Sequence, residues 1–388
     1  MWPILLFCTI LLGQLGRIQI TPAIAIYISD VVLLLYVIFH LPFLWKERKQ
    51  ITAVSCLKPF LLVSIVCAMS LLVNEHRFAQ IDVMVGIAYF LRYLLYAFVY
   101  VLVRLDKRPA VYWFKWVFVL GFGFALLGIL QLFVYPDLRN LSYDGWDPHY
   151  YRLFSTLFDP NFMGSILLVS FQSGVLFIDK RKQDLAVLVG LATIFVAFLL
   201  TYSRSSYVAA IAVFIAYMLL TKRWKLAFWL LGFCVVLLYL PAIGGESTLL
   251  FRKFTAFARI TNWQEGMQMF WESPVIGFGF NMVKSLSHNA PTLQSGVLAK
   301  STSGYDNSII FILVTTGSIG LAAFAYLWIT MIRSGLHVFR IAKKSKFGLL
   351  YITILVASFV HSMFVNTLFY PQMMILLWIV TGAIEKEG

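Results

Sequence analysis

Twelve stretches of this 388-residue chain are long and apolar enough to read as membrane helices: 1–15, 22–44, 53–73, 81–103, 111–135, 160–178, 184–201, 205–220, 224–241, 306–332, 347–366 and 368–384. A helix that crosses the hydrocarbon core needs about 20 predominantly apolar residues, with a range of about 17–25. Little chain is left over for anything else. Composition agrees: 61% of residues are hydrophobic and 12% are charged, whereas a soluble domain carries roughly 25% charged residues. This excludes a soluble enzyme, a disordered chain and a secreted disulfide scaffold. The expectation is an all-α integral membrane protein of about twelve transmembrane helices, with residues 1–388 forming a single polytopic domain. The first stretch lacks the basic start and small-residue cleavage site of a signal peptide, so it is read as a retained helix.

The segments between these stretches alternate in charge. Five short ones are basic: Lys46 to Lys49, Arg104 to Arg108, Lys180 to Lys182, Lys222-Arg223 and Arg333 to Lys346. With twelve helices all five fall on one side, which the positive-inside rule makes cytoplasmic. An odd number of helices would break that alternation. Both termini are then cytoplasmic. The net charge of +14 is accounted for by these loops without a nucleic-acid partner. Two long loops, about 136–159 and about 242–305, fall outside, and long ordered loops usually carry function. The sequence has no GxxxxGK[ST] phosphate loop, no DxD pair, no HExxH and no close Cys/His cluster. ATP-driven transport, metal-assisted use of a nucleotide sugar and a zinc site therefore lack support. Cys8, Cys56, Cys67 and Cys234 lie in or beside apolar runs and read as small apolar residues.

Arginine near a bilayer is costly unless solvated or paired. Arg17, Arg77, Arg139, Arg152, Arg204, Arg252 and Arg259 also oppose the positive-inside bias, so they need explaining. Arg204 is the sharpest case. It sits in Thr201-Tyr202-Ser203-Arg204-Ser205-Ser206, a tight turn between two apolar helices. A snorkelling arginine is the plain reading. A guanidinium among hydroxyl-bearing neighbours at the membrane surface also suits a lipid-linked phosphate. Arg152 precedes Asp159-Pro160-Asn161, a turn and helix start with Pro160 near the first position. Upstream, Tyr143 to Tyr151 interleaves aromatic rings with Asp144, Asp147 and His149. That pattern fits a sugar-binding surface and a membrane-interface belt equally.

In the second long loop, Ile260, Trp263, Met267 and Phe270 recur at helical spacing and predict an amphipathic helix lying on the membrane. Pro274 to Asn281 follows, and its Gly-Phe-Gly-Phe reads as a flexible turn. Asp306 and Asn307 open the tenth stretch. Asp306 fits either a helix cap or a general base in an external cavity. His288 is the other external candidate for proton transfer; His76, His149 and His361 are weaker. Arg92 is the one arginine deep in a span, placed to pair with a carboxylate or to reach a lipid phosphate.

Four pieces in order resemble the O-antigen ligase and polymerase family, over about 150–320. They are Arg152 with Asp159-Pro160-Asn161; Thr201 to Ser205; Arg259 and Trp263 with Pro274 to Gly279; and Asp306-Asn307 with Gly317 to Gly320. The resemblance implies a C-type glycosyltransferase bundle in a bacterial plasma membrane, with its active face outside and no metal or other cofactor. The donor would be a glycan on undecaprenyl pyrophosphate. An acceptor hydroxyl would attack the anomeric carbon with inversion while the lipid pyrophosphate leaves. Arg152, Arg204 and Arg259 would hold pyrophosphate or glycan, with Asn161, Tyr202 and Ser203 beside them. Membrane lipids and other polysaccharide-assembly proteins would be partners. Ligases of the family carry a His-Asn pair where this chain has Asp306-Asn307. The aspartate looks more like a polymerase and leaves Asp306 and His288 as alternatives for the base. Two other readings stand beside the polymerase: a ligase moving the finished glycan to another acceptor, and a lipid-glycan flippase. A transporter usually places its ionisable residues near the midplane, whereas most candidate charges here lie at the outer edge.

Overall fold

The computed structural model describes residues 2–21, 24–52, 54–144, 146–178, 184–250, 253–282, 305–341 and 345–387. Each of the twelve expected stretches coincides with a helix. Six are long and apolar enough to cross a membrane: α2 (Ile28–Lys46), α4 (Leu57–Asn74), α5 (Gln80–Leu105), α6 (Ala110–Val134), α9 (Arg204–Thr221) and α12 (Ser308–Ile341). The other six are shorter: α1 (Trp2–Leu12), α7 (Pro160–Val175), α8 (Leu185–Leu200), α10 (Leu226–Leu238), α13 (Lys346–Ser362) and α14 (Pro371–Ile384). Two more, α3 (Arg48–Thr52) and α11 (Lys253–Glu272), lie between these stretches. Large apolar side chains such as Phe133, 84% exposed, and Phe228, 74% exposed, face outward. Water would not tolerate such a surface over a whole chain, and lipid does. The protein is a multi-pass membrane protein.

Helices α9 and α13, α5 and α14, α4 and α12, and α6 and α7 form the most extensive pairings. Small residues set the closest approaches, as in membrane bundles generally. At Gly121 of α6 an added Cβ would lie 2.1 Å from Ser170 Cβ of α7, and at Gly164 of α7 it would lie 2.4 Å from Ser206 Oγ of α9.

The structure departs from the sequence reading in three places. First, the stretch expected to be helical from residue 22 has Ile24–Tyr27 in a strand. Arg17–Thr21 (β1) and Ile24–Tyr27 (β2) form an antiparallel hairpin. The alternation Arg17-Ile18-Gln19-Ile20 has the two-residue period of a strand, which the long apolar run that follows it obscured. Secondly, α11 does not use its apolar face for the membrane. Trp263, Met267 and Phe270 pack on Phe278, Tyr305, Ile310 and Val314, so the face is covered by α12, while Ile260 is 49% exposed.

Thirdly, Pro274 to Gly279 is locked rather than flexible. Gly317 takes φ 66°, ψ −167° inside α12, which interrupts the helix and frees backbone groups. The 274–279 segment bonds to them. Phe278 N donates to Val314 O at 2.9 Å, Gly279 N to Thr315 O at 3.0 Å and Ser318 N to Pro274 O at 2.8 Å. From α4, Ser70 Oγ donates to the carbonyls of Ile276 (2.7 Å) and Thr315 (2.6 Å), and Asn74 Nδ2 to that of Gly277 (3.0 Å). A Cβ at Gly317 would sit 2.2 Å from Val275 O, so only glycine permits this approach. The two glycine motifs are therefore one joint.

Arg92 takes one of its two expected roles and pairs with a carboxylate. Its Nη2 lies 2.9 Å from Asp30 Oδ2, the Tyr96 hydroxyl donates to Asp30, and the guanidinium lies over the Tyr27 and Tyr89 rings. A charge held this way ties α2 to α5 and has no need of a substrate.

Candidate active site

The site is built where the N-terminal ends of α7, α9 and α12 meet the C-terminal end of α13. Each N-terminal end has its own cap. Asp159 accepts from Asn161 N (2.6 Å) and Phe162 N (3.2 Å), with Pro160 at the first helical position. Ser203 Oγ accepts from Ser206 N. Asn307 Oδ1 accepts from Ile309 N (2.8 Å) and Ile310 N (3.2 Å). Helix N-terminal ends carry partial positive charge, and three together favour an anion.

A chain of side chains joins them. Ser203 Oγ donates to Asn161 Oδ1 at 3.1 Å and receives from Ser206 Oγ at 2.9 Å. Ser205 Oγ lies 3.1 Å from Ser203 Oγ and 3.1 Å from His361 Nε2. His361 Nδ1 lies 2.6 Å from Thr367 Oγ1. On the other flank, Asn307 Nδ2 donates to Met363 O and Ser308 Oγ to Asn366 Oδ1. His361, 1% exposed, is therefore the pivot between α9 and the end of α13. It ranked low as a lone histidine because its Ser205 partner lies 156 positions away in sequence.

Arg152 lies at the bottom of this arrangement, 4% exposed. Its Nε donates to Thr201 O (2.9 Å) and its Nη2 to Tyr202 O (3.3 Å) and Asn161 Oδ1 (3.2 Å), while Nη1 lies 3.2 Å from His149 Nδ1. The guanidinium thus holds the 201–202 turn and α7 together. Tyr202 takes φ 48° and turns its side chain inward, where its hydroxyl donates to Pro241 O at 2.8 Å. Ser203 is fully buried. Arg152, Tyr202 and Ser203 build the turn from within, and Asn161 links Arg152 to Ser203. The second half of the long 136–159 loop also folds inward: Leu153, Phe154 and Leu157 are buried. Leu153 N bonds Leu200 O, and Gln131 Oε1 accepts from Phe154 N and Ser155 N. Four of the six described non-glycine residues with positive φ, namely Tyr151, Ser155, Phe158 and Tyr202, lie in these two segments. Such strain persists only where surrounding contacts enforce it. The rings expected to form a sugar surface pack among themselves and on arginines: Tyr150 on Tyr151, Trp146 on Phe158, and Arg139 over Tyr150 at 4.1 Å.

The residues at the mouth behave differently. Arg204 and Arg259 are half-buried and close enough for their charges to act on each other. Asp306 is held by its backbone: its N–H donates to Asn262 Oδ1 at 2.9 Å, and its carbonyl accepts from Trp263 Nε1 at 3.4 Å. Among the described residues its carboxylate enters no hydrogen bond or ion pair, because Asn307 does the capping. Burial pushes the Asp306 carboxyl above the usual carboxylate range; Arg259 pulls it down and Asp147 pushes it up. Burial likewise raises Asp159 to about 6, with Asp147 adding to the rise and the capped N–H groups and Arg152 opposing it. His288 lies outside the described residues.

Asp147, His149 and Asp159 place their ligand atoms within 4.8 Å of one another, so they could hold a metal ion. Two of them already have other work. His149 lies against the Arg152 guanidinium and Asp159 caps α7, and a guanidinium offsets carboxylate charge as a cation would.

An arginine pair, a carboxylate not spent on capping and three helix N-terminal ends converge at one mouth. That combination suits transfer of a group whose leaving group is anionic. A search of curated proteins finds no match to the chain. The family model described as O-antigen ligase matches residues 189–325, a stretch that holds Arg204, Arg259, Asp306 and the 274–279/317 joint. Arg152 and Asn161 precede it. Over residues 189–325 the chain is similar to the O-antigen ligase family.

Proposed function

We propose that the protein is a polysaccharide polymerase. It transfers glycan repeat units from undecaprenyl pyrophosphate to an acceptor glycan at the outer face of the bacterial plasma membrane. The observation that carries this reading is the pairing of Arg204 and Arg259 beside the uncommitted carboxylate of Asp306. Arg204 and Arg259 neutralise the pyrophosphate. Asp306 takes the proton from the acceptor hydroxyl as its oxygen attacks the anomeric carbon. The bond from that carbon to the pyrophosphate oxygen breaks, and the electron pair leaves with the lipid pyrophosphate. Attack opposite the leaving group inverts the anomeric centre. Guanidinium groups bind phosphate in a fixed forked geometry, and preorganised charge at a developing anion is the strongest lever available to such a site. Beside Arg204, Tyr202, Tyr207, Leu237, Leu240 and Leu249 line an apolar cavity of about 310 Å³, which suits the first isoprene units of the donor. Both termini then lie in the cytoplasm.

The test uses purified protein, a lipid-pyrophosphate-linked repeat unit and no nucleotide. A ladder of longer lipid-linked glycans, lost in Arg204→Ala and in Asp306→Asn, is the expected result. Movement of the lipid-linked unit between leaflets of a vesicle with no ladder would replace the enzyme by a flippase. The family description, O-antigen ligase, supports a second reading, transfer of a finished glycan to a separate acceptor. A single product formed only with that acceptor would select it.

A further inference from the structure

A second polar cavity, of about 350 Å³, lies at the other end of the bundle. Gln50, Ser55, Arg104, Ser334, His337 and Glu385 line it. Helix α14 starts at the mouth, where Tyr370 stacks on Phe162 at 3.7 Å, and ends beside Glu385. Fourteen residues at about 1.5 Å each put roughly 20 Å between the two ends. Arg104 closes α5, and Ser334 and His337 lie in the last part of α12, so three helices finish here.

Glu385 is the unusual member. Its side chain is 6% exposed, and its Oε1 is buried with no hydrogen-bond partner among the described residues. Tyr100 and Ser55 hydrogen-bond the carboxylate, and burial still pushes its carboxyl above the usual range. The carboxylate is short of positive charge, and a buried acceptor left unmade is costly. Arg104 Nε lies 4.0 Å from Glu385 Oε2 with 41% of its side chain exposed, so most of its fork of donors remains available to a ligand. A simple anion would fit Arg104 and be repelled by Glu385; a simple cation would face the reverse. A group with both charges a few bonds apart satisfies both. His337, Gln50 and Ser334 add further donors for the anionic part.

We propose that this cavity binds the headgroup of a zwitterionic phospholipid with a primary ammonium, of the phosphatidylethanolamine class. The ammonium pairs with the Glu385 carboxylate and the phosphodiester accepts from Arg104. The cavity lies where a headgroup would be. The basic run Lys46 to Lys49 directly precedes the lining residue Gln50, and Lys386 directly follows Glu385. Trp45, 72% exposed, adjoins that run, as interfacial tryptophans do. A trimethylammonium headgroup has no N–H to give the carboxylate, so the site discriminates between headgroups of equal charge.

Delipidated protein in detergent is mixed with matched-chain phosphatidylethanolamine, phosphatidylcholine or phosphatidylglycerol. Native mass spectrometry follows the retained lipid and thermal unfolding follows the fold. The ethanolamine lipid is expected to bind about tenfold or more tighter than either competitor, the scale of one charge-assisted hydrogen bond. Glu385→Gln keeps the shape and should erase that preference while the protein still melts cooperatively. Arg104→Ala should weaken binding of the ethanolamine lipid. Equal retention of all three lipids, or a preference that survives both substitutions, overturns the site. Free phosphoethanolamine that competes as well as the lipid overturns the lipid assignment in favour of a soluble zwitterion.

Discussion

Arg152 and Arg204 belong to the same mouth, and the turn that carries Arg204 is the turn that Arg152 holds. Arg152 is buried, with donors on two backbone carbonyls, Asn161 and His149. Arg204 is half-buried at the first position of α9, with Arg259 within reach of its charge. One arginine builds the turn from within and the other lies half-buried at the mouth. A sharper division separates the two polar residues that open α12: Asn307 caps the helix and the Asp306 carboxylate is left out of the cap.

Substitutions should therefore split into two classes. Asp306→Asn tests the working side most strongly. Loss of the base should lower turnover by about 10²–10⁴-fold with an unchanged melting temperature; a similar rate would show that another group takes the proton. Arg204→Ala should cost about 10²–10³-fold, the scale of one preorganised charge-stabilising donor, again without loss of stability. Arg152→Ala should do the opposite. It leaves the Thr201 and Tyr202 carbonyls buried without their donor, at about 1–3 kcal/mol each, so the melting temperature and activity should fall together. A stable but inactive Arg152→Ala protein would erase the distinction between the two arginines.

The acidic limb of the pH–rate profile sharpens the comparison further. A base works deprotonated, so activity falls as pH drops through its pKa. Burial raises the Asp306 carboxyl and Arg259 lowers it. The limb should lie above the usual value of about 4, and Arg259→Ala should move it to higher pH. A limb that stays in place would uncouple Arg259 from Asp306. Tyr202→Phe should have the smallest effect. It removes one hydrogen bond to Pro241 O, worth about 1 kcal/mol, and should leave turnover nearly intact.

Much of the fold was legible without coordinates. The apolar runs locate all twelve helical stretches because burial in lipid imposes one simple rule, length times hydrophobicity. The motif residues Arg152, Arg204, Arg259 and Asp306 could be singled out because a charge near lipid needs a reason. Their roles could not, since a role depends on which donors are already used. Arg152 and Arg204 are chemically the same residue in similar local sequence. His361 was undervalued for a related reason: its Ser205 partner comes from another helix, and nothing in the surrounding residues points to it.

The sequence by itself determined a multi-pass helical membrane protein with its costly polar residues gathered in a few segments, because hydropathy and charge act locally along the chain. Tertiary structure alone decided which of those residues are buried in hydrogen-bonded turns and which lie half-buried at the mouth. It paired Arg92 with Asp30, docked the 274–279 turn into the Gly317 break of α12, and set Ser205 against His361. Each of these contacts satisfies a polar group with a partner far away in sequence, and in a low-dielectric bundle an unsatisfied group costs too much to leave. Hydrogen-bond satisfaction across helices therefore assigns the roles.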